Sequence, residues 1–114
     1  MSDTLPRFLE VDRLIHEPAR LAILTVLSSC RSADFVFLHS VTGLSKGNLS
    51  VQISRLEDAE LVTVEKVIQN KKTHTTVSLT KPGRSAMDRY WKTMDKIRKR
   101  SRAELMRGIA GNEA

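Results

Sequence analysis

With one cysteine, Cys30, the chain cannot form an internal disulfide. A reducing, cytoplasmic setting is the simple inference. No apolar run approaches the roughly 18 residues that a membrane-crossing helix needs. The opening MSDTLPRFLEVDR has no basic region followed by an apolar core, so no secretion signal is expected. Aromatic residues make up only 4% of the chain, and none stands in the candidate hairpin. That hairpin therefore lacks the stacking platform of single-strand RNA readers; Tyr90 and Trp91 fall on the last helix instead. A Gly-rich phosphate loop, a nucleophile elbow and paired metal ligands are all missing, so no enzyme is expected. His16, His39 and His74 are scattered without ligand spacing. No metal and no cofactor are expected, and Cys30 reads as a small apolar residue.

What remains is a basic chain of 114 residues, enough for one domain with one modest core. The formal charge is +6, from 19 basic and 13 acidic side chains. An overall basic pI favours an acidic partner such as nucleic acid. The excess is uneven: residues 80–114 hold ten basic and four acidic side chains, residues 44–79 five and four. DNA contact from the middle of the chain must then rest on a few well-placed cations.

The middle stretch, LHSVTGLSKGNLSVQISRLEDAEL, reads as two helices joined by a tight turn. Gly43 is suited to leave the first through a left-handed conformation. Leu44 points back inward, and Ser45 can cap the second helix. Leu49, Ile53 and Leu56 form one apolar face at i, i+4 and i+7. The other surface carries Lys46, Gly47, Asn48, Ser50, Val51, Ser54 and Arg55, with no acid before Glu57. A helix with a buried side and a polar, positively biased start is built to enter the major groove N-terminus first. The bland alternative is an ordinary amphipathic helical hairpin.

Upstream, residues 1–9 read as frayed and a short helix is expected over Glu10–Ile15. Pro18 suits the first turn of the next helix, with Glu17 near its cap. Ile23, Leu24, Val26 and Leu27 give that helix a wide apolar face, and it should stop near Ser29. Asp34 can cap FVFLHSVT, whose Phe35 and Leu38 face the core, and Ala33 to Phe35 can pair as a very short strand against the later hairpin. His39 reads as a half-buried surface histidine.

Downstream, the period changes. LVTVEKVIQ and THTTVSL are rich in β-branched residues, and Val62, Val64, Val77 and Leu79 can share one sheet face. NKK joins them, with Asn70 tolerant of positive φ, and Lys71, Lys72, Thr73 and His74 are expected at the tip. A charged tip is either solvated or a wing on the phosphate backbone; its place after a helix-turn-helix favours the wing. Thr80 caps a long last helix with Pro82 in its first turn. Met87, Tyr90, Met94 and Ile97 form a stripe that Ser101 and Leu105 extend, with Trp91 beside it. A stripe that outruns its own core points to a homodimer seam; packing back on its own domain is the other reading. Five of the seven residues from Lys96 to Arg102 are basic, which reads first as a solvated shell.

Helix, helix, helix, hairpin, helix is a mainly helical α+β order. With HEPARLAILTVL, ADFVFLHSVTGLSKGNLSVQISRLEDAELVTVEK and THTTVSLTKPGR, it resembles the winged-helix transcriptional regulators of the MarR and ArsR kind. These are prokaryotic, and the short members, a winged helix with a terminal dimer helix, look most alike. The resemblance covers roughly Val11 to Trp91. It implies one winged helix-turn-helix domain over residues 1–114, with helix-turn-helix and β-hairpin wing in 10–80 and a dimerisation helix in 81–110. It also implies that Lys46, Gly47, Asn48, Ser50, Val51 and Arg55 meet the groove and that Lys71 and Lys72 sit on the wing. The cysteine-rich motif of the metal-sensing members is absent.

The expected function is a sequence-specific double-stranded DNA-binding regulator acting as a homodimer. Ser45 and Ser54 are counted with the groove surface, and Lys71, Lys72 and His74 with the phosphate contacts. The rival is a winged-helix module that docks proteins without touching DNA. No sequence feature demands a small-molecule effector, though one would fit between the last helix and the core near Trp91.

Overall fold

The computed structural model describes residues 12–113, with side chains through residue 108. Residues 1–9 and the start of the expected Glu10–Ile15 helix lie outside that range. The described part of that helix, residues 12–15, is a single turn instead. Asp12 holds it, its carboxylate accepting from the Leu14 N–H at 2.9 Å while its carbonyl accepts from the His16 N–H at 2.7 Å.

Helix α1 spans Pro18–Ser28. Glu17 caps it, accepting from the Arg20 backbone N–H, and Pro18 occupies the first turn, where no N–H is needed. Ile23, Leu24 and Leu27 are fully buried, so α1 is the central core helix. Two residues, Ala33–Asp34, form strand β1. Asp34 then caps α2, Phe35–Thr42, by accepting from the Phe37 N–H at 2.7 Å. Gly43 ends α2 at φ 72°, and the His39 ring nitrogen Nδ1 lies 2.7 Å from the Leu44 carbonyl across the turn. Ser45 caps α3, Lys46–Asp58, with its hydroxyl 3.1 Å from the Asn48 N–H. Leu49, Ile53 and Leu56 anchor α3 in the core.

Strands β2, Val62–Gln69, and β3, Lys72–Leu79, follow as an antiparallel hairpin. Only Asn70 and Lys71 form its loop, at φ 52° and 64°. Two successive positive φ angles mark the type I′ turn, whose twist matches that of the strands. β1 adds to the other edge of β3, Ala33 opposite Val77, giving the order β1-β3-β2. Val62 pairs with Leu79 and Val64 with Val77, so these four share the face against the helices.

The last helix, α4, spans Lys81–Glu113. Its 33 residues make it about 50 Å long. Thr80 ties its start to the end of α3: the hydroxyl accepts from the Gly83 N–H at 2.9 Å and donates to the Glu60 carbonyl at 2.7 Å. Ala86, Met87 and Tyr90 enter the core, and Met94 packs at its edge. Past that point α4 leaves the body, and residues 101–108 are exposed. No helix among the described residues is long and apolar enough to cross a membrane.

Candidate nucleic-acid interface

The apolar anchors of α3 decide what it shows to solvent. With Leu49, Ile53 and Leu56 buried, Lys46, Gly47, Asn48, Ser50, Val51, Ser54 and Arg55 are all exposed, as is the capping Ser45. Val51 is 51% exposed, a large apolar residue on a polar surface, suited to touch a thymine methyl. The N-terminal turn of α3 carries no acid, so its free N–H groups and Lys46 favour an anion.

Behind this surface lies a chain of hydrogen bonds that the sequence did not signal. Arg20 of α1 is largely covered, its side chain 11% exposed. Its Nε donates to the Leu14 carbonyl at 2.5 Å and its Nη1 to Gln52 Oε1 at 2.9 Å. Gln52 Nε2 in turn donates to Asn48 Oδ1 at 3.0 Å. The Glu17 carboxyl is held below its ordinary value of 4.5, first by the bond from the Arg20 backbone N–H, with the charges of Arg20 and Arg55 adding to it.

The wing is arranged differently from the sequence expectation. Lys71 is in the turn and Lys72 beside it at the start of β3, so both are at the tip, but His74 lies farther inside the strand. His74 is paired with Val67, and alternation puts both on the face away from Val62 and Val64. Lys66, two residues beyond Val64, faces α3. With Thr75, Ser50, Ser54, Glu57 and Phe35 it lines a cleft of about 260 Å³ between wing and helix. The sequence carried the signal for Lys66, since it continues the period of Val62 and Val64.

The long stripe on α4 also divides. Met87 and Tyr90, expected on a dimer seam, are each only 3% exposed and belong to the chain's own core. The Tyr90 hydroxyl lies 2.8 Å from His16 Nδ1 and its ring meets Trp91 edge-on at 5.0 Å. What stays outward is Trp91, 48% exposed, then Ser101 and Leu105, with Met94 and Ile97 half-buried. Trp91, Met94 and Arg98 border a hollow of about 710 Å³ along α4. In the basic run, Arg98 and Lys99 are both paired to Asp95, at 2.7 and 3.0 Å. Those two bonds hold the Asp95 carboxyl below its ordinary value.

Similarity to known proteins agrees with this geometry. A transcriptional regulator homologue from Pyrococcus horikoshii OT3 superposes with a TM-score of 0.79 at 28% identity, over 83% of this chain and 96% of that one. BpsR of Bordetella bronchiseptica, whose DNA binding is regulated by 6-hydroxynicotinic acid, gives 0.65 at 16%, over 92% and 88%. A MarR-family regulator from Silicibacter pomeroyi gives 0.62 at 21%, over 91% and 75%. At such identities the last two speak for the fold alone. No curated protein matches the chain in sequence. The family described as the winged helix DNA-binding domain matches residues 19–98, from α1 to the part of α4 that leaves the body, and the chain belongs to that family.

Proposed function

We propose that this protein binds double-stranded DNA sequence-specifically as a homodimer and regulates transcription from that site. The observation that carries the reading is the two-sidedness of α3. Three buried leucine and isoleucine anchors fix it in the core, and every other residue singled out on it projects to solvent with no acid in the first turn. Asn48 and Arg55 have the groups to bond base edges, while Lys46 and the helix start suit a phosphate. Lys71 at the wing tip and Lys66 in the cleft beside α3 supply further cations.

The dimer rests on the outward part of α4. Trp91, Met94, Ile97 and Leu105 are left there by the core, and the hollow beside Trp91 offers an apolar surface to a second copy. Two copies related by a two-fold axis present two recognition helices to successive major grooves, about 34 Å apart. Selection from a random duplex pool at stated salt should return inverted half-sites at that spacing, and sedimentation should return twice the chain mass. Failure to shift any duplex in a salt-sensitive way would overturn the reading.

One observation favours protein docking as a second reading. Val36, Phe37 and Val41 are 71%, 50% and 52% exposed along α2. The same DNA shift separates the two.

A further inference from the structure

We propose that Arg20 and Gln52 are positioning residues that set which edge of the Asn48 amide faces DNA, and so set the base preference of the α3 surface. The inference deepens the DNA-binding reading above and rests on it.

Each group's hydrogen-bonding capacity fixes the pattern. A guanidinium has donors and no acceptor. The atom of Gln52 that meets Arg20 Nη1 at 2.9 Å must therefore be the carbonyl oxygen. That settles the sense of the Gln52 amide, an ambiguity that is otherwise resolved only by its neighbours. Its Nε2 is then left for Asn48, and a neutral amide nitrogen only donates, so the Asn48 atom at 3.0 Å must be Oδ1. One covered arginine thus propagates a fixed donor-to-acceptor direction through two amides to the exposed end of α3.

Arg20 is itself held from two other directions. Its Nε donates to the Leu14 carbonyl at 2.5 Å and its Nη1 lies 3.7 Å from Glu17 Oε2. Three of its neighbours therefore accept from or attract the same guanidinium, and its side chain is 11% exposed. It is anchored to the body of the domain and not free to swing toward a ligand. The consequence at the surface is asymmetric. Asn48 has one lone pair of Oδ1 engaged and both Nδ2 hydrogens unengaged within the chain of bonds. It therefore meets the groove donor-first, and favours a base that offers acceptors alone in the major groove, guanine or thymine.

Gln52→Glu reverses the direction without removing a partner. The carboxylate still accepts from Arg20, but its second oxygen also accepts, so Asn48 must turn its Nδ2 inward and show Oδ1 to the groove. The favoured base becomes cytosine, which offers only the N4 donor, while adenine, with both a donor and an acceptor, serves either orientation. Asn48→Ala marks which position of the site Asn48 reads.

The test compares sites selected by the wild-type protein, Asn48→Ala and Gln52→Glu from one random duplex pool, with side-chain amide NMR of the free proteins alongside. Wild type should prefer guanine or thymine at the position that Asn48→Ala relaxes. Gln52→Glu should shift that preference by roughly fivefold or more from guanine or thymine toward cytosine. In the free protein, the same substitution should move the Asn48 Nδ2 resonances to those of a hydrogen-bonded donor. An Asn48 amide unchanged in Gln52→Glu would overturn the proposal with or without DNA. So would an unaltered base preference. A protein that gives the NMR change but shifts no duplex would instead overturn the DNA-binding reading and leave Asn48 without a base to read.

Discussion

Gly83 rests against the carbonyl of Leu61 so closely that a methyl group built on it would overlap that oxygen and lie 3.2 Å from a Leu79 methyl. The contact docks the first turn of α4 against the end of α3 and the wing. Backbone cannot yield as a side-chain tip does. Gly83→Ala should therefore cost about 3 kcal/mol of stability, at the upper end of overpacking effects. Chemical denaturation checks this, and a loss under about 1 kcal/mol would mean that the junction is soft.

Tyr90 makes a polar contact from inside the core. Its hydroxyl is 2.8 Å from His16 Nδ1, and burial raises its pKa. Tyr90→Phe keeps the ring and loses the bond, for an expected cost of about 1 kcal/mol. Tyr90→Ala leaves a cavity and should cost about 3–5 kcal/mol. The two unfolding midpoints, compared at equal slope, separate packing from the hydrogen bond.

The hairpin turn allows stability and affinity to be moved in opposite directions. Lys71 has φ 64°, which glycine adopts without strain. Lys71→Gly should stabilise the domain by up to about 1 kcal/mol. If Lys71 meets a phosphate, the same change should flatten the log–log salt slope of DNA binding by about one unit. A weaker complex from a more stable protein is the expected pair of results, read by denaturation and by salt titration.

Lys66 and Lys72 should differ, because β2 and β3 put them on opposite faces of the wing. Lys66 shares the cleft with Ser50 and Ser54 of α3, whereas Lys72 is paired with Gln69 on the face of His74. Lys66→Ala should reduce the salt slope by about one unit and Lys72→Ala by less. An unchanged slope in Lys66→Ala would rule out a phosphate path through the cleft.

The cap of α1 carries a pH dependence. The folded-state pKa of Glu17 lies below its ordinary 4.5, first because its carboxylate accepts from the Arg20 N–H. A lowered carboxyl pKa contributes stability that is present above pH 4.5 and lost as the pH falls through the folded value. Stability should thus decline below about pH 4.5, and Glu17→Gln should flatten that part of the profile. An unchanged acid limb in Glu17→Gln would assign the decline to other carboxylates.

Much of the fold is legible in the sequence, for local reasons. Gly43, Ser45, Asp34 and Glu17 each mark a helix end because the need they meet is set within three or four residues. A very short strand at Ala33 against the hairpin is likewise legible, though not its register opposite Val77. Long-range partners were not legible. Nothing near Arg20 announces that it will meet Gln52, thirty-two positions on, because that contact depends on how α1 crosses α3. Met87 and Tyr90 leave the expected seam for a related reason, both being buried in the chain's own core. Helical periodicity gives a face but not the residue at which the body ends, and a core that ends near Met94 takes the first part for itself. Within the wing, the length of the turn is what the sequence leaves open. A two-residue loop keeps Lys71 and Lys72 at the tip but moves His74 into the strand, where alternation turns it, like Lys72, away from α3.

The outer half of α4 has consequences for how the molecule melts. Residues 101–108 are bare, and among the described residues Glu104 and Arg107 pair with each other. Such pairs are worth a few tenths of a kcal/mol, and an unsupported helix of this length is marginal in water. Dilution alone should then fray that arm while the body stays intact. Amide exchange along it would rise steeply as the concentration drops, so the far end of the helix becomes a gauge of whether a companion is present.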